Sequence, residues 1–202
     1  MLGAGAYGAA RLARRAVQGD SILKADIRRT WDLVPGSIAK KVAVCSRSPG
    51  VHAVATLRFG QWLLGQRLLV RAPLEPVYQW QSYRVRTRWG IEIPRRVDID
   101  EGLYIGHFGD IHVSAGAKIG KNCILSQGVT VGMSGAGENK GCPELGDNVY
   151  VSPGAKVFGK ITVGDNVKIG ANAVVHHDIP ADSLVLLSPG YEVVPRADAP
   201  AE

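Results

Sequence analysis

The stretch that decides the fold runs from Leu145 to Val175: LGDNVYVSPGAKVFGKITVGDNVKIGANAVV. Set out in sixes it reads LGDNVY, VSPGAK, VFGKIT, VGDNVK, IGANAV. An aliphatic residue falls at every sixth place: Leu145, Val151, Val157, Val163, Ile169 and Val175. Four places after each comes a second small or aliphatic residue: Val149, Ala155, Ile161, Val167 and Ala173. A period of six fits neither the 3.6-residue helix nor the two-residue strand. It fits a solenoid of short strands and tight turns, in which each aliphatic side chain points inward and stacks on its equivalent one coil away. Gly, Asn and Asp populate the turns because they accept positive φ at low cost.

The cadence extends toward the N-terminus. Val113, Ile119, Leu125 and Val131 continue it, with Ala117, Cys123 and Val129 at the second position. A slip of two residues then separates them from Ile93, Ile99, Ile105 and Ile111, which have Val97 and Leu103 beside them. Three hexads make one triangular coil of a parallel β-helix. One interruption, Gly132–Glu144 (GMSGAGENKGCPE), is too long for a coil to absorb and is predicted to bulge out as a loop. Loops on a rigid scaffold are frequent carriers of function.

The N-terminal half has no hexads. Its patterning predicts helices over residues 20–32, 50–71 and 73–89, the last opened by its prolines. The expected organisation is a flexible basic extension (1–19), a small helical region (20–90), a mainly β domain that is a parallel β-helix with an extruded loop at 132–144 (91–189), and a C-terminal tail (190–202).

Composition narrows the classes. The 202 residues include 25 Gly but no Gly at every third place, which excludes collagen, and aromatics are only 6%, unlike an aromatic-filled sandwich. No apolar run approaches the roughly 20 residues needed to span a bilayer. Residues 1–97 carry 17 Lys/Arg against 5 Asp/Glu, a net of +12; residues 98–202 carry 7 against 13, a net of −6. A basic half of this kind suits anionic lipid or another anionic partner, or is a solvated face. Arg84, Arg86, Arg88 and Trp89, with Trp62 and Trp80, would serve either a peripheral membrane contact or helix packing. No nucleic-acid motif accompanies the charge. The three cysteines, Cys45, Cys123 and Cys142, form no CxxC and are odd in number, so neither a zinc site nor a disulfide framework is indicated. Reduced thiols and the lack of a signal-like apolar core in residues 1–19 point to the cytoplasm.

Taken with the hexads and the loop, the segment GLYIGHFGDIHVSAGAKIGKNCILSQGVTVG (102–132) and RFGQWL (58–63) resemble the serine O-acetyltransferase family of hexapeptide acyltransferases, over about residues 50–190. That resemblance implies a left-handed parallel β-helix, contrary to the usual right-handed crossover. It also implies acetyl-CoA as donor, no metal, and a homotrimer with sites between neighbouring subunits. By position in the motif, His107 is the expected catalytic base and Glu92, fifteen residues earlier, the acid that orients it. CoA is expected along Gly132, Ser134, Pro153, Lys168, Gly170 and Ala171. Three acceptor-contacting places depart from the serine-specific pattern: Gly106 stands for an acid, and Gly141 and Cys142 for an Arg-His pair. Those losses, together with the Cys-Pro loop, resemble the exopolysaccharide (colanic-acid-type) subgroup. They lead to the expectation of an O-acetyltransferase acting on a hydroxyl of a sugar or oligosaccharide at the inner face of the membrane. Serine acetylation in cysteine biosynthesis and a non-catalytic trimeric scaffold are the alternatives.

The chemistry expected of these residues is general-base catalysis. A hydroxyl attacks the thioester carbon as an imidazole takes its proton, and the carboxylate holds the imidazole tautomer. A separation of fifteen residues, close to one 18-residue coil, predicts that Glu92 and His107 sit on neighbouring rungs. His112, at the slip, is read as a surface residue close to His107, and Cys142 as a loop thiol without a base beside it.

Overall fold

The computed structural model describes residues 21–136 and 140–187; the basic extension (1–19) and the C-terminal tail (190–202) lie outside the described residues. Helix α1 (residues 21–33) is followed by α2 (Ile38–Arg47), α3 (Pro49–Leu64) and α4 (Leu68–Trp89). Then come fourteen short strands: β1 (Ile91–Glu92), β2 (Asp98–Ile99), β3 (Tyr104–Ile105), β4 (Ile111–Val113), β5 (Lys118–Ile119), β6 (Ile124–Leu125), β7 (Thr130–Gly132), β8 (Glu144–Leu145), β9 (Tyr150–Val151), β10 (Lys156–Phe158), β11 (Thr162–Val163), β12 (Lys168–Ile169), β13 (Val174–Val175) and β14 (Leu184–Val185).

Every third strand up to β13 joins the same parallel sheet, and β14 then pairs with β12 because Ile179 makes only a single bridge to Val163 on face B. Face A is β1-β4-β7-β10-β13, face B is β2-β5-β8-β11 and face C is β3-β6-β9-β12-β14. The result is the three-sided prism that the period of six predicts. Both inward positions of each hexad are buried, from Val97 and Ile99 at the start to Ala173 and Val175 at the end. The turns use the residues the sequence supplied for them: Asn122, Asn148 and Asn166 all take left-handed φ of 56–58°. Between faces B and C their neighbours form a polar ladder. Asp147 and Asp165 accept hydrogen bonds from the backbone of Lys121 and Asp147, and Asn148, Asn166 and Asp182 bond in series. The acidity of this half is therefore partly structural, since these carboxylates satisfy turn N–H groups.

Coil length varies where the sequence slips. In the regular coils the register step is 18 residues, as in Tyr150 paired with Lys168, and in the coil that carries the loop it is 26, as in Ile124 paired with Tyr150. In the first it is 20, pairing Ile91 with Ile111 and Glu92 with His112. The two extra residues enter between Ile105 and Val113, at the corner Gly106–Asp110, where Gly109 and Asp110 both have positive φ. Ile111 and Val113 are both buried, so His112 between them faces outward. The loop between β7 and β8 leaves the prism and closes on itself through paired backbone bonds between Ser134 and Gly141.

The helices close the first rung. Gly50 of α3 meets the backbone of Ile105 so closely that any β-carbon would run into the Ile105 carbonyl. Ala53, Val54 and Leu57 join the prism core. Arg58 lies fully inside, ion-paired to Asp26 of α1 at 2.7 Å, and donates to the carbonyls of Ile99 and Asp100. Asp26 in turn accepts from the N–H groups of Gly102 and Leu103, and Gln61 donates to Val97. RFGQWL thus supplies the polar plug that satisfies the open backbone edge of the first coil. Burial pushes the Asp26 carboxyl up from its ordinary range, against the pull of Arg58 and the two backbone donors.

Two helical expectations need correction. The helix expected over 50–71 ends at Leu64, with Gly65 as its cap, and a new helix starts at Leu68. Pro73 and Pro76 lie inside α4 instead of at its start. They are tolerated near its beginning because the carbonyls they orphan, those of Leu69 and Ala72, sit on its exposed side.

Candidate functional site

His107 sits on the enlarged corner between faces C and A, exposed, at the mouth of a cleft of about 570 Å³. Phe108 and, from the helices, Lys40, Val44, Arg47 and Pro49 share that cleft. Among the described residues His107 makes no hydrogen bond or ion pair. Neither Lys40 nor Arg47 has a carboxylate partner for its cationic group there. These two cations come from α2, which no repeat or motif announces. The only local signal was the run of basic residues itself, Lys40-Lys41 and Arg47.

Glu92 stands on the outward surface of face A. Its carboxylate lies 3.6 Å from Nδ1 of His112, and both side chains are 48% exposed. This differs from the expected pairing with His107. The expectation counted fifteen residues against an 18-residue coil, whereas the first coil is 20 residues long and puts residue 112 opposite residue 92. The column of outward side chains continues from His112 through Thr130 to Lys156, whose Nζ donates to Thr130 and to the Gly128 carbonyl.

Two of the three acceptor places sit in tight surroundings. A β-carbon on Gly106 would approach the Tyr104 ring at 3.0 Å. One on Gly141 would meet Lys160 Cβ at 2.7 Å, leaving no room for an arginine stem. Cys142 is half-buried, packed on the prism core with its sulfur against Gly116. Cys123 is fully buried, and burial pushes its thiol up to about 11, so it is inert near neutral pH.

The places expected to hold CoA divide between two corners. Pro153, Gly170 and Ala171 follow β9 and β12 at the corner of faces C and A, the corner that also carries His107, with exposed Lys168 on the strand before. Gly132 and Ser134 lie at the corner of faces A and B, beside the loop, where Ser134 borders a cleft of about 540 Å³ with Phe158, His176 and His177. Among the described residues no group of His, Cys, Asp and Glu could hold a metal ion.

The family model for bacterial transferase hexapeptide (six repeats) matches residues 143–177. A serine acetyltransferase of Synechococcus elongatus is 36% identical over 169 residues, which are 83% of this chain and 66% of that protein. One from Mycobacterium tuberculosis is 35% identical over 174 residues, 85% of this chain and 72% of the relative. The chain belongs to the serine acetyltransferase family. The crystal structure of the Entamoeba histolytica serine acetyltransferase isoform 3 in complex with cysteine superposes with a TM-score of 0.70 at 26% identity, over 92% of this chain and 64% of that one. The fold is accordingly that of the serine acetyltransferases, a left-handed parallel β-helix behind a helical region. The chain spans about two thirds of the length of such relatives. Relatives named serine acetyltransferase are acyltransferases, in line with the expected class of enzyme.

Membership in the serine acetyltransferase family corrects two expectations. The resemblance to an exopolysaccharide subgroup finds no support among these relatives, and a sugar acceptor is contradicted by them. The sugar reading rested on lost charge at 106, 141 and 142, on the Cys-Pro loop and on the short N-terminal half. It took no account of Lys40 and Arg47, which the tertiary structure brings to the His107 cleft from α2.

Proposed function

We propose that this protein transfers the acetyl group of acetyl-CoA to the hydroxyl of L-serine. The observation that carries the reading is the similarity to serine acetyltransferases over more than four fifths of the chain, joined to an exposed imidazole in a cleft with two cations. A free amino acid has a carboxylate to be held, and Lys40 and Arg47 supply the positive charge for it. His107 accepts the hydroxyl proton as the serine oxygen bonds to the thioester carbon. When the tetrahedral intermediate collapses, the C–S bond breaks and the proton passes to the CoA sulfur. Pantetheine runs along the small residues Gly132, Ser134, Pro153, Gly170 and Ala171, and Lys168 meets a phosphate.

A site shared between copies fits this reading. Gly106 and His107 lie on one corner of the prism, and Ser134 and Gly141 on the next, across a face that is roughly 15 Å wide at about 3.3 Å per residue. Corners of neighbouring copies in a homotrimer would bring the two sets to one acceptor. A second assignment of the base is favoured by one observation: His112, not His107, has the carboxylate at its Nδ1, which leaves Nε2 free to take a proton.

Thiol release from acetyl-CoA with L-serine, measured on wild type, His107→Ala and His112→Ala, tests both. Loss of about a hundredfold or more in kcat for His107→Ala, with a smaller loss for His112→Ala, supports the first assignment. The reverse order supports the second. No serine-dependent thiol release by the folded wild type would overturn the function itself.

A further inference from the structure

Helix α4 is apolar on two opposite sides. Its inner side, with Tyr78 and Val85, is buried against the rest of the protein. Its outer side is largely exposed among the described residues, with Trp80 at the edge of a cleft shared with Leu23, His52 and Phe59. At roughly 100° per residue, Leu69, Pro73, Pro76, Trp80 and Tyr83 fall within one narrow sector, a stripe about 20 Å long. Leu69 is 89% exposed, Trp80 57% and Tyr83 59%, with Leu68 (76%) and Val77 beside them. An unpartnered stripe of this size is unusual on a solvated surface.

The charges beside the stripe are of one sign. Arg84 and Arg88 flank its second half, roughly 60–100° round the helix from Leu69. Arg84 lies over the Trp80 ring at 4.7 Å, a pairing suited to a headgroup boundary, where the ring is half immersed and the cation remains in water. The one acid of the helix, Glu75, faces away, held by Arg95 through bonds of 2.8 and 3.0 Å and by Arg71. A second copy of the chain in parallel pairing is a poor occupant, because it sets Arg84 and Arg88 of one stripe against those of the other. No described helix is long and apolar enough to cross a membrane, so a contact here is peripheral.

We propose that the outer side of α4 docks on an anionic phospholipid surface, with Leu69, Trp80 and Tyr83 entering the headgroup boundary and the flanking arginines meeting lipid phosphates. The helix lies in the plane of the surface.

Co-sedimentation of the full chain with vesicles tests this. One set is pure phosphatidylcholine and the other a 7:3 mixture of phosphatidylcholine and phosphatidylglycerol. The expected result is binding to the mixed vesicles that is at least about tenfold stronger than to the neutral ones and is weakened by 0.5 M NaCl. Leu69→Glu with Trp80→Glu in the same chain is expected to abolish binding while leaving the melting temperature and thiol release unchanged, since both side chains are exposed. Absence of binding to mixed vesicles, equal binding to neutral ones, or full binding by the double variant would each overturn the proposal. So would a drop in oligomer size by light scattering in the double variant, which would assign the stripe to another copy.

Discussion

Glu92 and His112 lie side by side on the outward surface of face A, carboxylate to Nδ1 at 3.6 Å, because the first coil of the prism is two residues longer than the regular 18-residue coil. The same two residues enlarge the corner that carries His107. One irregularity in the repeat therefore both exposes one imidazole and partners the other. Because the Glu92–His112 pair is half exposed, it contributes under about 1 kcal/mol to stability. Glu92→Gln is expected to leave the melting temperature within a degree or two of wild type. Its kcat should fall by about tenfold if the carboxylate supports proton transfer. An unchanged kcat would remove Glu92 from the site.

Lys40 and Arg47 should act on acceptor binding more than on chemistry. Charge-assisted hydrogen bonds are worth about 1.5–3 kcal/mol, so replacing both by Ala should raise the KM for serine by about tenfold or more, with the KM for acetyl-CoA little changed. Initial rates with each substrate varied in turn give the two constants.

The Asp26–Arg58 pair joins the helices to the prism, and both side chains are almost wholly buried at 1% and 3% exposure. Arg58→Met leaves Asp26, the Gln61 side-chain oxygen and the carbonyls of Ile99 and Asp100 without their donor. Removing one member of such a pair costs about 3–5 kcal/mol. Urea unfolding should show a midpoint lowered accordingly; a shift under 1 kcal/mol would mean that the plug contributes little.

Gly50 lets α3 approach Ile105, one residue from the His107 corner. Gly50→Ala should lower stability by about 1–3 kcal/mol through overpacking, and should reduce turnover as well, since the rung that carries the corner is displaced. Thermal melting and thiol release on the same sample check the two effects together.

The Glu75–Arg95 clamp makes part of the stability pH-dependent. Hydrogen bonds from Arg95 and then from Gln79 hold the Glu75 carboxyl down at about 2, against an ordinary value of 4.5. Between these values the unfolded chain binds the proton and the folded one does not. The clamp's stabilisation is thus present above about pH 4.5 and is lost as pH falls toward 2. The melting-temperature gap between wild type and Glu75→Gln should be widest above pH 5 and close progressively below it.

The period of six was sufficient for the prism, because inward stacking repeats the same local environment at every coil and so writes itself into every sixth residue. The Asn turns and the extruded loop were legible for the same reason. Helix α2 was not legible, nor was the break at Gly65. Their residues repeat nothing, and their positions follow from how four helices close one end of the prism. The site divides along the same line. The sequence alone determined that His107 and Glu92 stand near the first rung, since both are counted from a motif. Which imidazole the carboxylate meets depended on the length of one coil, and which cations share the cleft depended on the packing of α2. Contacts between residues far apart in the chain are set by tertiary geometry, where a two-residue change in register exchanges one neighbour for another.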